Sequence, residues 1–283
     1  MSSHRTRISH GAGSPAAFAL VALLLLGCGG DEQEEPAASL PLADTSFVLV
    51  HGAWNAAWVW SDVVADLEAQ GADVTTVELP GHGDDATPVA EVSLESYVAE
   101  VTEAIEALGH PVVLVGHSLG GIVITQAAED VPDQIDKLVY VTAFVPKNGQ
   151  SLFDLATADA TSDLGPALAL DMERGIAAVD QTRVAEIFCG DCSDAMRVTL
   201  AAKYRDEPLL PLVEPVTTSD ENWGRVSKFY VYAALDHVIT PTLQAEMTAE
   251  VTFTDTAAVE TGHSPFLSQP DSLAAALAAF AEE

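Results

Sequence analysis

The amino-acid sequence predicts an α/β domain built on a mostly parallel sheet of six strands. Short apolar runs rich in β-branched residues alternate with segments of helical periodicity along the chain. The run from Pro111 to Val115 is β-branched and apolar throughout, as in strands that are covered on both faces of a parallel sheet. Hydrophobic residues make up 48% of the 283 residues and charged residues 19%, which supports a sizeable core and excludes a disordered chain.

Each element follows from this alternation, because a helix between two neighbouring strands implies a right-handed crossover. The predicted strands span residues 47–50, 74–79, 111–115, 135–142, 229–234 and 251–254. The predicted helices span residues 58–70, 93–108, 118–131 and 272–279, with another beginning at Pro241. Residues 147–223 break the rhythm and contain only weak helical segments, near 167–179 and 193–204. We interpret that segment as a small helical cap over the carboxyl ends of the strands.

The first 27 residues have the features of a signal peptide. Arg5 and Arg7 precede an apolar run from Ala16 to Leu26, which is too short to cross a bilayer comfortably. Leu-Leu-Gly-Cys then ends at Cys28 and resembles a bacterial lipobox, so we expect cleavage before Cys28 and lipidation of its thiol. A simple secretory signal is the alternative.

Residues 28–43 are acidic and contain proline, and we expect them to form an extended tether before a domain that spans residues 44–283. The protein is therefore expected to be exported and anchored at the outer membrane or cell surface, or else secreted.

Acidic residues dominate the charge of the chain. Lys and Arg total 11, whereas Asp and Glu total 43, giving a net charge of −32. A polyanion of this size repels phosphate backbones, so nucleic-acid binding is excluded.

Two further cysteines, Cys189 and Cys192, form a Cys-Gly-Asp-Cys motif. Such a motif serves as a redox pair, as half of a zinc site or as a short disulfide. No second CxxC is present in the sequence, and export permits disulfides. We favour a small structural disulfide.

The candidate nucleophile is Ser118, in the sequence Gly-His-Ser-Leu-Gly from Gly116 to Gly120. The pattern G-x-S-x-G is weak alone, but here it follows an apolar strand and opens a helix, as a nucleophile elbow requires. A glycine-rich turn with an N-capping serine is the alternative interpretation.

A serine hydroxyl needs a base, and His263 is the best-placed histidine because it follows the last strand and precedes the last helix. Asp236 directly follows the fifth strand and could orient the imidazole. His117 adjoins Ser118, but its side chain is expected to point away from that of the serine. The chain order Ser118, Asp236, His263 is that of a hydrolase triad.

A tetrahedral intermediate also needs hydrogen-bond donors for its oxyanion. The backbone N–H of Leu119 follows the nucleophile, and the N–H of Ala53 lies in the loop after the first strand.

These motifs together resemble the α/β-hydrolases, most closely the plant methyl esterases and hydroxynitrile lyases with their bacterial carboxylesterase relatives, among them pyrethroid hydrolases. The resemblance covers residues 46–282 and rests on the segments FVLVHGAW, ELPGHG, SLESYV, VLVGHSLGG, VYVTAFVP, EPLLPLVEPVT, NWGRV and GHSPFLSQP. It implies the α/β-hydrolase fold, a six-stranded core, a small cap and a mostly apolar pocket, with the family triad on Ser118, Asp236 and His263.

The sequence departs from the lyases at two places. They carry Lys after the acid, where this chain has His237, and a Thr in the first-strand loop, where it has Ala53 and Trp54. Plant members also carry a second His where this chain has Asn55.

We therefore expect a serine carboxylesterase that acts on small or hydrophobic esters through an acyl-enzyme, with no metal or organic cofactor. The alternatives are hydroxynitrile lyase activity and a surface binding protein on an inactive hydrolase fold.

Overall fold

The computed structural model describes residues 41–283, so the predicted signal peptide, Cys28 and most of the predicted tether lie outside the described residues. Six parallel strands form the core sheet: β1 (Ser46–Val50), β2 (Asp73–Val77), β3 (Val112–His117), β4 (Ile135–Val141), β8 (Ser227–Ala233) and β9 (Asp255–Val259). Their spatial order is β2-β1-β3-β4-β8-β9, and every neighbouring pair is parallel. The predicted six-stranded sheet is confirmed.

Helices cover both faces of the sheet. They are α1 (Ser61–Ala69), α2 (Leu94–Leu108), α3 (Gly120–Asp130), α8 (Pro241–Thr248), α9 (Pro265–Ser268) and α10 (Pro270–Glu282). Alternate residues of a strand face opposite sides, so Val48 and Leu114 pack with α2 and α3, whereas Leu49 and Val115 pack with α1 and α10. Two buried hydrophobic layers therefore fix the strand ends that carry the site.

Residues just before the predicted start of the domain at residue 44 also pack against the core. Leu42 is 1% exposed, belongs to the buried layer beneath α1 and α10, and donates its N–H to Gln70 O at 3.0 Å. Among residues 41–283, no helix is both long and apolar enough to cross a membrane.

The insertion between β4 and β8 contains a small sheet as well as helices. Its helices are α4 (Leu152–Ala156), α5 (Val184–Cys189), α6 (Asp194–Lys203) and α7 (Leu210–Val213), and its strands are β5 (Leu168–Asp171), β6 (Ile176–Val179) and β7 (Glu207–Pro208). The strands pair antiparallel in the order β5-β6-β7. We call the segment from Ser151 to Val226 the cap.

Two element predictions are wrong. The segment near 167–179 is a hairpin rather than a helix, because Gly175 turns the chain with φ +67° and the two arms pair with each other. The last core strand is Asp255–Val259 rather than 251–254. Phe253 of the apolar predicted segment packs against the core from a connecting loop, whereas the true strand lies at the edge of the sheet and buries only Val259.

Candidate active site

Ser118 occupies a sharp turn between β3 and α3. Its φ is +53°, a left-handed conformation that is uncommon for a non-glycine residue. Neighbouring backbone must come very close at this turn: a Cβ on Gly116 would lie 2.5 Å from Gly120 O, and one on Gly52 would lie 2.8 Å from Ser118 Cβ. The glycines therefore permit the strained turn that places the serine at the start of α3, as the G-x-S-x-G pattern predicts.

Asp236 and His263 meet beneath the cap. His263 Nδ1 lies 2.8 Å from Asp236 Oδ2, and the two residues are 2% and 1% exposed. A carboxylate accepts a proton donor, so Nδ1 carries the hydrogen and Nε2 is left as the basic nitrogen of the ring. That arrangement suits His263 to accept a proton from a serine hydroxyl.

The structure also fixes Asp236 through Thr142, which sequence reasoning missed. Thr142 Oγ1 donates to Asp236 Oδ2 at 2.5 Å, and the N–H groups of Val238 and Ile239 donate to Oδ1 at 2.6 and 3.1 Å. Thr142 stands at the end of β4 with φ +36°. The sequence does place this threonine directly after a buried strand. Because the carboxyl ends of parallel strands lie at one edge of the sheet, that position could have predicted that Thr142 lies near Asp236.

His117 connects the nucleophile turn to the base. Its Nε2 donates to the backbone carbonyl of His263 at 2.8 Å, and the two rings are 4.7 Å apart. Burial, with a contribution from the nearby charge of His263, lowers the pKa of His117 well below its usual value. The neutral ring of His117 therefore links the backbone of His263 to the turn that carries Ser118.

Two backbone donors are available beside the nucleophile. Within the described part of the chain, the N–H groups of Ala53 and Leu119 make no hydrogen bond, although the residues are only 4% and 0% exposed. Buried backbone N–H groups are almost always paired, so an unpaired pair at this position is suited to an incoming oxyanion. Gly52, which precedes Ala53, directly adjoins Ser118.

His51 supports this loop. Burial is the main reason that the pKa of His51 is lowered, so the ring is neutral. Nδ1 donates to Gly52 O at 2.9 Å, and Nε2 accepts from Leu79 N at 3.1 Å. His51 is therefore a structural residue of the loop.

The cap reaches the base through the Cys-Gly-Asp-Cys segment. Cys189 and Cys192 form a disulfide, and Asp191 between them accepts the N–H of Gly262 at 2.8 Å. A Cβ on Gly262 would lie 2.8 Å from Asp191 Oδ1, so the contact is tight. The cysteine segment therefore rests on the residue that precedes His263.

A cavity of about 530 Å³ lies between the cap and the loops that follow β1, β4 and β8. It is lined mainly by apolar and aromatic side chains, which include Trp54, Phe144, Leu152, Leu212 and Val238. Ser118, Asp236 and His263 do not line this cavity, but two residues that do are bonded to them: Phe144 donates its N–H to Ser118 O at 3.2 Å, and Val238 donates its N–H to Asp236 Oδ1. A smaller cavity of about 340 Å³ is lined by His263 together with Asp191, His237 and Gly262.

Among residues 41–283, no group of His, Cys, Asp and Glu side chains is arranged to hold a metal ion. His110 is exposed, and His82 pairs with a buried carboxylate described below.

Comparisons with known proteins show the family and the fold of this chain. A model of the "Alpha/beta hydrolase family" matches residues 47–276. One relative is the chloroplastic methylesterase 11 of Arabidopsis thaliana. It is 31% identical over 252 residues, which are 82% of this chain and 63% of that protein. The chain thus spans less than two thirds of that relative. A carbendazim hydrolyzing esterase from Nocardioides sp. (strain SG-4G) is 45% identical over 112 residues, which are 39% of this chain and 46% of that protein.

Among solved structures, a pyrethroid hydrolase from Sphingobium faniae JZ-2 superimposes with a TM-score of 0.74 at 25% identity. The match covers 84% of this chain and 97% of that chain.

Proposed function

The chain belongs to the alpha/beta hydrolase family, and on that premise we propose that it is a serine carboxylesterase. The observation that carries the proposal is the buried His263–Asp236 pair at 2.8 Å, together with a strained Ser118 and the N–H groups of Ala53 and Leu119, which have no partner within residues 41–283. The esterase relatives reported above support the same reaction class.

The proposed reaction runs in two halves. Ser118 Oγ attacks the ester carbonyl carbon while His263 Nε2 takes the hydroxyl proton, and the oxyanion accepts the N–H groups of Ala53 and Leu119. The intermediate collapses, the ester C–O bond breaks, and His263 passes the proton to the leaving alkoxide. Water then attacks the acyl-enzyme with His263 again as the base, which releases the acid and restores Ser118. Asp236 stabilises the imidazolium in both halves.

We propose small or hydrophobic esters as the substrates. The 530 Å³ cavity, whose lining residue Phe144 is hydrogen-bonded to the backbone of Ser118, is lined mainly by apolar and aromatic side chains, which suits a hydrophobic acyl or alcohol group. The reaction requires no metal or organic cofactor, since every proton is moved by His263.

A panel of p-nitrophenyl and methyl esters of increasing chain length tests this proposal. We expect hydrolysis that improves with apolar substituents until the cavity is filled, and covalent labelling of Ser118 by a fluorophosphonate probe. Absence of both hydrolysis and labelling would leave the inactive binding protein as the better description.

The lyase alternative depends on position 237. Its side chain is 73% exposed and lies 3.8 Å from Asp163, so it is directed toward an exposed carboxylate. Cyanohydrin cleavage would need a charged group to stabilise the leaving cyanide. We therefore expect no release of cyanide from mandelonitrile above background, and His237→Ala should keep most of the esterase rate. Rapid release that His237→Ala abolishes would instead favour the lyase.

We also propose that the protein is exported and anchored through Cys28, with secretion as the alternative. The apolar run 16–26 and the Leu-Leu-Gly-Cys sequence support this, as does the Cys189–Cys192 disulfide, because disulfides persist mainly in oxidising compartments. Metabolic labelling with a palmitate analogue should tag the protein, and Cys28→Ser should abolish the tag. A soluble, unlabelled protein would support a simple secretory signal.

A further inference from the structure

A buried carboxylate in the cap contacts the loop that carries the Ala53 donor. Glu207, on β7, is 0% exposed and has three partners. Its Oε2 accepts the backbone N–H of Trp54 at 2.8 Å and lies 2.8 Å from His82 Nε2, and its Oε1 accepts the hydroxyl of Tyr97 at 3.0 Å. The reaction proposed above uses none of these groups, although burying a charge in this way is costly unless every partner is present.

The contacts of His82 fit an imidazolium. Its Nε2 faces the Glu207 carboxylate, and its Nδ1 faces the carbonyl of Pro80 at 3.2 Å, so both ring nitrogens have an acceptor within reach. Burial by itself lowers the pKa of His82, but the charge and hydrogen bond of Glu207 outweigh it and raise the pKa. Burial likewise raises the pKa of Glu207, and the charge of His82 with the three hydrogen bonds lowers it. The two groups therefore form a buried ion pair.

Trp54 is held by the cap at a second point. Its indole Nε1 donates to Ala177 O at 2.8 Å, and Ala177 pairs with Glu207 across β6 and β7. Glu207 thus binds the backbone N–H of Trp54, and its neighbour in the cap sheet, Ala177, binds the indole of the same residue. Trp54 has φ +60°, which is strained for a bulky residue and persists only where the surroundings enforce it.

This attachment bears on the oxyanion donor for a geometric reason. The N–H that Glu207 binds belongs to the peptide unit between Ala53 and Trp54, and the candidate donor belongs to the preceding unit. A rigid peptide plane on one side of Ala53 restricts the rotation of the other, because only φ and ψ of Ala53 separate them.

We propose that Glu207 is a positioning residue of the active site: held by His82, it binds the Trp54 N–H and thereby aims the Ala53 N–H at the oxyanion. The cap thus completes the oxyanion site besides covering the pocket. This inference rests on the proposed esterase function, and the groups that contact substrate remain Ser118, His263 and the two N–H donors.

Glu207→Gln tests the inference, because it removes the negative charge that pairs with His82 and weakens or removes the bond to the Trp54 N–H. An amide oxygen there would accept from Trp54 and from a protonated His82 without the compensating charge, whereas an amide nitrogen would lose the Trp54 bond. Loss of one oxyanion donor costs about 10²–10³-fold in kcat, so misaiming it should lower kcat by about 10- to 100-fold with KM changed less than about threefold. Affinity for a tetrahedral-intermediate analogue, a trifluoromethyl ketone, should fall in parallel.

Glu129→Gln is the matched control. Glu129 also accepts backbone N–H groups from a distant segment, at Ser219 and Trp223, but it touches none of the active-site loops. It should lower thermal stability without changing kcat. The double variant Glu207→Gln with His82→Gln removes both charges and still allows an amide oxygen to accept the Trp54 N–H. It should therefore recover part of the kcat that Glu207→Gln loses. Because it leaves no unpaired buried charge, it should also remain folded even if Glu207→Gln does not.

The outcomes separate the two proposals. If wild type hydrolyses esters and folded Glu207→Gln keeps its kcat and its affinity for the ketone, Glu207 is only structural and the inference is overturned. Equal losses in Glu207→Gln and Glu129→Gln would overturn it as well, since they would reflect general destabilisation. If wild type hydrolyses no ester, the proposed function fails and the inference fails with it.

Discussion

The core sheet and the cap contribute different kinds of groups to this site. Ser118, Asp236 and His263 follow core strands and are the proposed catalytic groups. The cap supplies Asp191 and Glu207, which hold the loops on either side of the nucleophile through Gly262 and Trp54. The comparison teaches that chemistry and alignment are divided between a regular scaffold and an irregular insertion, and that each can be disturbed separately.

The largest effect should come from the core. Ser118→Ala should lower ester hydrolysis by at least about 10⁴-fold, because no other group can form the acyl-enzyme. Thermal melting should show an intact fold, since the hydroxyl makes no hydrogen bond within residues 41–283. A mutant of unchanged stability that hydrolyses esters near the wild-type rate would contradict the assignment.

A smaller loss of ester hydrolysis should come from changing Thr142, a core residue that orients Asp236 but does not react. Thr142→Val keeps the shape of the side chain but removes its bond to Asp236 Oδ2, a hydrogen bond to a charged group that contributes about 1.5–3 kcal/mol. We expect kcat to fall by about 10-fold. Thr125→Val is the control, because Thr125 is also fully buried but bonds to Tyr140 and Gly121 instead. Equal kcat in the two variants would show that Thr142 does not act through Asp236.

The cap contact with the base should be weaker still. Asp191→Ala removes the carboxylate that binds the Gly262 N–H. Water can take its place as the acceptor, but water is not fixed to the cap and therefore holds Gly262, and the adjacent His263, less firmly. A loss of about 1 kcal/mol of alignment corresponds to a fall in kcat of about fivefold. Asp180→Ala, which deletes a comparable turn contact to Thr182 in the cap, should leave kcat unchanged. If steady-state kinetics show a larger fall in kcat for Asp180→Ala than for Asp191→Ala, then Asp191 does not help to align His263.

The smallest effect concerns the pH dependence of stability. The pKa of Glu207 is lowered in the folded protein, so its contribution is present above the ordinary carboxylate pKa of about 4.3 and is lost as pH falls through the folded value. The pKa of His82 is raised, so its contribution is present below the ordinary imidazole pKa of about 6.5 and is lost as pH rises through the folded value.

The difference in Tm between wild type and Glu207→Gln should therefore be greatest between about pH 4.5 and pH 6.5 and shrink on both sides. The groups that face this pair are His51 and Tyr97, with Glu78 and Asp85 nearby, and they titrate in both proteins. A Tm difference that does not change with pH would show that the pair is not ionised.

The sequence by itself determined the alternation of strands and helices, the nucleophile turn and the chain order of the predicted triad. These are local properties: apolar runs of strand length, glycines where backbone must come close, and polar residues directly after strands. Parallel strands then bring the strand ends to one edge without further information. The hairpin at 168–179 shows where local information fails, since its Ala- and Leu-rich sequence favours a helix and only pairing within the cap decides otherwise.

Only the tertiary structure decided how the site is held. Trp54 and Glu207 are 153 residues apart and Asp191 and Gly262 are 71 apart, so no pattern along the chain connects them. A buried Glu in the cap and a His after β2 are each unremarkable in a chain with 43 acidic residues and eight histidines. They become meaningful when folding removes both from water, because a buried charge must then find partners, and one partner of Glu207, Trp54, belongs to the loop that carries the proposed oxyanion donor.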